Sequence, residues 1–443
     1  MTDPTSEKTL NLSVPTLTRV EGEGAMHVSV RDGVVEQVQL EIYEPPRYFE
    51  AFLRGRDRAE PIDITARICG ICPVAYQMSA THAIEAISGV RPGGQIRALR
   101  RLLYCGEWIE SHVLHMAFLH APDFVGVDSG IEIAAQHPEL MAEVLHLKKT
   151  GNHLLDVVGG RPIHPVNVRL GGFYRAPTVD ELRALLPDLE RAHAGALALL
   201  QWVAGFDYPD IPPEHRTTTE YVSLRHESEY PFNEGRMVSD RGLDISVTEF
   251  GERMQEFHVE HSTALHAVLT TPGEPDRAYQ TGPLARWMNS ADLVPASIRA
   301  VADDLGVARV ETNPFRSILV RGLETLFAIE EAQRIIGAYE RPGEPFVEVP
   351  LRAGVGDACT EAPRGALYHR YTVDDAGLIT DAVIVPPTAQ NQPAIEADLF
   401  DFVSTHLDLD DQTLGHRCEQ VIRNYDPCIS CATHFLRFTI DRR

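Results

Sequence analysis

Two stretches, ARICGICPVAYQ at residues 66–77 and YDPCISCATHF at residues 425–435, decide how this chain must fold. Each contains one C-x-x-C pair: Cys69 with Cys72, and Cys428 with Cys431. Two thiolates on such a tight turn can hold one metal ion, and a helix that begins at Pro73 favours the anionic form of the first pair. One pair alone is typical of a redox dithiol or of half a zinc site, whereas two pairs favour one shared four-thiolate metal site.

The spacing of the two pairs constrains the fold further. Zinc ribbons usually separate their pairs by about 15–20 residues, whereas 355 residues lie between Cys72 and Cys428. If the pairs meet, the fold must bring the two ends of the chain together around the metal. Spacing alone leaves zinc, iron–sulfur and nickel open. The other three cysteines, Cys105, Cys359 and Cys418, stand alone and are expected to be buried, inert thiols.

Composition excludes several classes of protein. The chain has 443 residues, with 40 Lys and Arg against 64 Asp and Glu, and this acid excess disfavours binding to nucleic acid or to anionic lipid. No apolar run approaches the roughly 20 residues that span a bilayer. Residues 1–19 lack the basic and apolar regions of a secretory signal peptide. A cytoplasmic protein is therefore expected, although a chain carried by a signal-bearing partner would look the same.

Hydrophobic patterning predicts a mainly α protein with smaller β parts contributed by both ends. Alternating residues predict one hairpin around Asp32–Gly33 and another that turns at 374–377. Helical periodicity predicts helices over 73–88, 95–119, 138–158, 179–205, 321–337 and 411–424. Several of these are apolar on most sides, which predicts a buried helical bundle. The length allows about three domains, but because both ends must meet at the metal we expect residues 1–443 to form a single interleaved domain.

The two thiol motifs resemble the first and last signature motifs of the large, catalytic subunit of nickel–iron hydrogenases, in order and in position near the two ends. Other family segments recur in order: TRVEGEG at 18–24, RYFEAFLRGRD at 47–57, HVLHMAFLHAPD at 112–123, EAPRGAL at 361–367 and VPPTAQN at 385–391. The resemblance thus runs from about residue 12 to residue 434. CPVAYQ, with Tyr76 where many relatives carry His, is most similar to the soluble subgroup coupled to NAD(P), sometimes called sulfhydrogenases.

The resemblance implies a hydrogenase that cleaves H2 heterolytically and reversibly at a NiFe(CO)(CN)2 centre. It implies that Cys69, Cys72, Cys428 and Cys431 all bind nickel, and that Cys72 and Cys431 also bridge to the iron. Thiolates suit this task because they are soft, anionic donors. By the same resemblance the base that takes the proton is Cys428 or the guanidine of Arg364.

From the local sequence EAPRG alone, Arg364 could equally well be a surface arginine in a turn. The resemblance instead places it over the metals, beside Pro363, with a hydrogen bond towards a cyanide ligand. It also implies that Asp123 and Asp426 are the carboxylates that hold this arginine, since a buried arginine needs such partners.

The resemblance assigns two further groups near the centre. The cyanide pocket of the family normally includes a Ser or Thr in this segment; here Pro387 occupies the usual Ser position, so only Thr388 supplies a hydroxyl. Glu21 in RVEGEG would alone be read as an exposed loop acid, but the resemblance makes it the first relay for protons that leave Cys428. A carboxylate suits that role because burial can raise its pKa towards the working pH. Many relatives have His two positions later, where this chain has Glu23.

A second metal site, for Mg2+ or Fe2+, is implied near the C-terminal end. Its ligands by resemblance are Glu50, His434 and, more weakly, the main-chain carbonyl of Val383. Taken alone, Glu50 would more often be a solvated helix acid and His434 a histidine of the core.

The resemblance also implies partners. Electrons would leave through iron–sulfur clusters on a small subunit, because no cysteine set remains here for such clusters. No GxGxxG or P-loop is present, so NAD(P) and flavin are expected on other subunits. Nickel-insertion proteins and a maturation protease are implied as well. The protease would remove residues 435–443 after His434, although FLRFTI also alternates well enough for a retained terminal strand.

Two alternatives from other classes remain open at this point. One is the related quinone-site subunit of respiratory complex I, which shares the fold but lacks the metal thiols. The other is a zinc-stabilised structural protein, which predicts zinc and no redox activity.

Overall fold

The computed structural model describes residues 9–209 and 219–433. Its strands are β1 Leu10–Val14, β2 Gly24–Arg31, β3 Val34–Ile42, β4 Val168–Arg169, β5 Gly172–Phe173, β6 Glu220–Arg225, β7 Arg236–Ser239, β8 Asp244–Ile245, β9 Met254–Phe257, β10 His266–Leu269, β11 Tyr279–Gln280, β12 Gly354–Ala362, β13 Gly365–Val373 and β14 Ile379–Val385. Its helices are α1 Phe49–Leu53, α2 Pro61–Thr65, α3 Pro73–Ser88, α4 Gly94–Leu114, α5 Ala121–Val125, α6 Gly130–Gln136, α7 Pro138–Gly159, α8 Val179–Arg183, α9 Leu186–Ala204, α10 Phe250–Arg253, α11 Pro283–Ser290, α12 Ala296–Asp304, α13 Ser317–Gly337, α14 Pro387–Thr405, α15 Asp411–Arg423 and α16 Ile429–Ala432.

A buried bundle of four long helices, α4, α7, α9 and α13, forms the centre of the molecule. Helix α13 is buried along nearly its whole length, as expected for a helix that is apolar on most sides. Helices α4 and α7 approach closely where Gly106 meets Gly151: a Cβ on Gly151 would lie 2.8 Å from the carbonyl oxygen of Gly106. The predicted mainly α fold with a buried bundle is confirmed.

Two three-stranded antiparallel sheets flank this bundle, and both predicted hairpins are present. Strands β1, β2 and β3 form the first sheet, with its turn at Asp32–Gly33. Both turn residues have positive φ, of 49° and 76°, as the tight hairpin turn requires. This sheet packs on α14 and α15, so the two ends of the chain share one core. Strands β12, β13 and β14 form the second sheet, against which α3 packs.

The middle of the chain differs from the prediction of mostly helical structure. Strands β6, β7, β8 and β11 form a four-stranded sheet, and β9 pairs with β10. These strands are only two to six residues long. The longest, β6, is buried on both faces, so it lacks the alternation that marks a half-exposed strand.

Two of the predicted helices are also shorter or interrupted. The stretch 179–205 is divided into α8 and α9 at 184–185. Pro187 has no N–H to bond to the carbonyl of Arg183, and its ring would clash with that carbonyl, so it is accommodated in the first turn of a new helix. The stretch 95–119 ends as α4 at Leu114 and continues as a wider π turn over His115–His120. Within residues 9–209 and 219–433, every helix is too short or too polar to cross a membrane.

Candidate metal centre

The two thiol pairs meet, so the fold does bring the two ends of the chain together. Cys69 follows a short helical turn and Cys72 immediately precedes α3, while Cys428 and Cys431 lie at the beginning and inside of α16. All four side chains are buried, and all four thiols are free of disulfides. Their sulfurs lie 3.3 Å apart between Cys69 and Cys428, 3.7 Å between Cys72 and Cys431, and 2.9 Å between Cys428 and Cys431. Four sulfurs in mutual contact form a donor set that suits a soft transition metal.

The N-terminal segment is threaded beside the second pair. The carbonyl of Glu21 accepts a hydrogen bond of 2.9 Å from the amide of Ile429, and a parallel bridge joins Glu21 to Cys428. Gly22 has φ 92°, and a Cβ there would lie 2.6 Å from the Cβ of Ile429. Only glycine fits this close approach, which explains the glycine in the RVEGEG segment.

Electrostatics disfavour the anionic form of the second thiol pair while no cation is bound. Burial raises the pKa of the Cys428 and Cys431 thiols, because a thiolate far from water loses its solvation. A bound metal reverses this preference, since it holds the thiolates directly.

Polar atoms without partners also face this region. Nη1 of Arg364 and the hydroxyl of Tyr76 are buried and have no hydrogen-bond partner in the part of the chain that the structure describes. Tyr76 is fully buried in α3, and burial, then the charges of the nearby Cys431 and Cys72, raise the pKa of its hydroxyl. Buried polar groups are rarely left unsatisfied, so the residues fit a group bound among them.

Arg364 lies in the turn between β12 and β13 and points to the cluster. Its Nε donates to the main-chain carbonyl of Asp426 at 2.8 Å, and its Nη2 donates to Oδ1 of Asp426 at 3.1 Å. Although burial acts to lower the pKa of Arg364, the Asp426 carboxylate and the nearby thiols raise it well above its usual value. The guanidinium is therefore a fixed positive charge beside the thiols. The neighbouring Pro363 offers its carbonyl to Nη2 of Arg286 at 2.9 Å.

The predicted pairing of Asp123 with Arg364 is wrong. Asp123 instead accepts two hydrogen bonds from Arg423, at 2.7 and 2.8 Å, and ion-pairs with Arg19. Although burial acts to raise the pKa of Asp123, its pairing with Arg423 lowers it. The reason for the difference is position. Helix α5 brings Asp123 to the C-terminal end of α15, where Arg423 lies three residues before Asp426. Asp123 thus ties together the two segments that carry Glu21 and Asp426.

Glu21 lies in hydrogen-bond contact with the thiol that it was predicted to serve. The Cys428 thiol donates to Oε2 of Glu21 at 3.1 Å, and the amide of Ser430 donates to the same oxygen at 3.0 Å. Glu23, two positions later, is exposed. The Thr388 hydroxyl, at the beginning of α14, accepts a hydrogen bond of 3.0 Å from the amide of Cys428. Both predicted residues are therefore in the immediate surroundings of Cys428.

The residues predicted for a second metal are only partly described. Glu50 is buried in α1, and its Oε1 accepts a hydrogen bond of 2.8 Å from the amide of Ile384. This contact brings the carboxylate to the peptide that joins Val383 to Ile384. His434 lies outside the described residues. The backbone of Arg47 bonds to Thr433 at 2.6 Å, so the segment that carries Glu50 meets the chain next to His434.

Sequence reasoning missed a supporting carboxylate, Glu107 of α4. It accepts hydrogen bonds from the amides of Val74 and Ala75, at 2.6 and 3.2 Å, and so caps the first turn of α3 directly after Cys72. It also missed Arg19 and Arg423, the partners of Asp123. A useful signal was present for Arg19, because TRVEGEG places an arginine two residues before Glu21.

Comparisons with known proteins agree with this geometry. The family model described as nickel-dependent hydrogenase matches residues 47–161 and 248–434, which include both thiol pairs. Sulfhydrogenase 1 subunit alpha of Pyrococcus furiosus is 32% identical over 431 residues, covering 97% of this chain and 99% of that protein. NAD-reducing hydrogenase HoxS subunit beta of Cupriavidus necator is 25% identical, covering 96% of this chain and 95% of that protein.

A solved structure of an NAD+-reducing [NiFe]-hydrogenase in the H2-reduced state matches with a TM-score of 0.85 at 27% identity. The match covers 96% of this chain and 99% of that chain. The chain therefore belongs to the nickel-dependent hydrogenase family and corresponds to its large, catalytic subunit.

Proposed function

We propose that this chain cleaves H2 heterolytically and reversibly, and that its electrons pass through partner subunits to NAD(P). The proposal rests on the buried four-thiol cluster, in which the Glu21 carboxylate lies 3.1 Å from the Cys428 sulfur. When bound there, a NiFe(CO)(CN)2 centre would supply the redox-active metals at which the H–H bond is split. All other steps below concern the residues of this chain.

The cysteines would hold the metals in the roles that the resemblance implies. Cys69, Cys72, Cys428 and Cys431 would bind nickel, and Cys72 and Cys431 would also bind iron. Arg364, held by Asp426, would donate through its free Nη1 to a ligand of the iron. The Thr388 hydroxyl is positioned to hold the backbone of Cys428, and its hydrogen would remain available for a second ligand of the iron.

A proton path begins at Cys428. The Cys428 sulfur would hold the proton first, and Oε2 of Glu21 would take it across the 3.1 Å hydrogen bond. The Ser430 amide, bonded to the same oxygen, orients the carboxylate for that transfer. Transfer to a carboxylate within hydrogen-bond reach is the geometry that general acid–base catalysis requires.

A second metal, Mg2+ or Fe2+, would be held by Glu50, His434 and the carbonyl of Val383. The contact of Glu50 with the Val383–Ile384 peptide supports two members of this set, since hard cations take carboxylate and carbonyl oxygens. This site would fix the C-terminal end next to the thiol cluster.

Partners complete the electron route. A small subunit with iron–sulfur clusters would receive electrons, and flavin-bearing subunits would pass them to NAD(P) in the cytoplasm. The relatives named subunit alpha and NAD-reducing hydrogenase support such an assembly. The test is H2-dependent reduction of NAD and NADP by the complex purified with all its subunits, and reduction of neither would contradict the proposed electron route.

Maturation would involve nickel-insertion proteins and a protease that cuts after His434. We expect residues 1–443 to form a single interleaved domain and the mature chain to lack residues 435–443. Intact-mass spectrometry of the active enzyme measures this directly. Chains that end at His434 are expected, whereas a mass that includes Arg443 in active enzyme would rule out cleavage.

A further inference from the structure

We propose that His261, His266 and Glu396 form a binding site for one divalent transition-metal ion, separate from the thiol cluster. One potential ligand atom from each residue lies within 4.8 Å of the other two. The residues come from two parts of the fold: both histidines belong to the β9–β10 hairpin and its loop, and Glu396 belongs to α14. Glu396 lies eight positions after Thr388 in α14, which corresponds to about 12 Å along the helix axis.

The carboxylate of Glu396 is held in place with one oxygen directed at each histidine. Its Oε1 accepts a hydrogen bond from the amide of Leu40 in β3 at 2.9 Å and lies 2.8 Å from Nε2 of His261. Its Oε2 lies 4.0 Å from Nδ1 of His266. That separation is too long for a hydrogen bond, yet two metal–ligand bonds of about 2.0–2.2 Å can span it.

His266 faces the Glu396 carboxylate with Nδ1, the nitrogen through which it would bind the ion. The side chain is 2% exposed. Burial, reinforced by the nearby His261, lowers the pKa of His266 to about 4. The ring is therefore neutral at physiological pH, which is the form in which imidazole binds metals.

The donor set indicates the class of ion. Two imidazole nitrogens and one carboxylate oxygen suit Zn2+, Fe2+, Co2+ or Ni2+ better than Ca2+ or Mg2+, which prefer oxygen ligands alone. The amide of Leu40 acts as an outer partner that orients the ligating carboxylate. By contrast, the comparable group of His226, Glu229 and Glu234 has both carboxylates ion-paired with Arg97, so its donors already have a cation.

A metal here would join two parts of the chain, because both histidines belong to the β9–β10 hairpin and Glu396 lies on α14. Each of these parts is already tied to β3 by a hydrogen bond. The Thr263 amide donates to the carbonyl of Ile42 at 2.7 Å, and the Leu40 amide donates to Glu396 at 2.9 Å. The ion would therefore fasten the hairpin to α14 beside the N-terminal sheet.

The test is a Co2+ titration of the purified holoenzyme complex, followed by visible absorption and by metal analysis. The wild-type complex is expected to bind one equivalent of Co2+ and to show the d–d absorption bands of Co2+ bound by nitrogen and oxygen. The His261→Gln and Glu396→Gln variants should lack both the bound equivalent and the bands. His258→Gln is the matched control. This exposed histidine belongs to the same loop but lies outside the cluster, so its variant should still bind one equivalent of Co2+. Without added metal, the His261→Gln complex should unfold at a Tm close to that of the wild-type complex, which reports an intact fold.

Thermal unfolding gives a second readout. Added Co2+ or Zn2+ should raise the Tm of the wild-type complex and of His258→Gln, but leave that of His261→Gln unchanged, because an ion stabilises only the state that binds it. The proposal is overturned if the wild type binds no more Co2+ than the His261→Gln and Glu396→Gln variants, or if its spectrum lacks the expected bands.

Discussion

Replacement of Cys428 by serine is expected to abolish H2-dependent dye reduction and to lower the nickel content of the purified complex. Cys428 contacts two other thiols of the cluster, Cys69 and Cys431, at 3.3 and 2.9 Å, and also contacts Glu21. A serine hydroxyl is a hard donor that is protonated at neutral pH, so it cannot replace a soft thiolate on nickel. Both the metal site and the first position of the proton path are lost together. Activity and metal content measured on the same sample test this.

A matched control is Cys418→Ser. Cys418 is also a buried thiol, and burial raises its pKa to about 12, but it lies in the core between the N-terminal sheet and α15 rather than at the cluster. This variant should keep its nickel and most of its activity. Near-normal H2-dependent activity in Cys428→Ser would remove Cys428 from the site.

Replacement of Glu21 by glutamine is expected to reduce turnover strongly while leaving the metals bound. The amide oxygen of glutamine can still accept the hydrogen bond from Ser430, so the segment around Gly22 should remain in place. Glutamine cannot take a proton from the Cys428 sulfur, however, and removal of a positioned general base typically costs about 10²–10⁴-fold in rate. The measurement is the rate of H2 oxidation per nickel.

The control for this variant is Glu23→Gln, two positions later. Glu23 is exposed, so its replacement should change the rate little. A Glu21→Gln enzyme that turns over as fast as Glu23→Gln would show that the protons leave by another route.

The amino-acid sequence alone was enough to predict the features that depend on local residue types. Two C-x-x-C pairs favoured one shared metal site, and such a site brings the two ends of the chain together. The hairpin at Asp32–Gly33 followed from alternation and a turn dipeptide. The helices over 73–88 and 411–424 were also predictable, because Pro73 and Asp410 begin them with residues suited to a helix N-terminus.

The features that the sequence could not supply depend on tertiary packing. Asp123 was expected beside Arg364 but pairs with Arg19 and Arg423, and only the arrangement of α5 against α15 decides between these cations. The buried strand β6 has no alternation to reveal it. The role of Glu107 at the first turn of α3 is likewise set by the packing of α4, since nothing in its neighbouring residues distinguishes it from an ordinary helix acid.

Metal analysis combined with infrared spectroscopy of the purified complex shows whether the four thiols hold a nickel–iron centre. Nickel and iron near one-to-one at this site, together with absorption bands of bound CO and cyanide, are expected. A quinone-site subunit predicts no metal at the thiols, and a structural zinc protein predicts zinc without those bands. Zinc alone, or no metal, would show that the thiols hold no such centre.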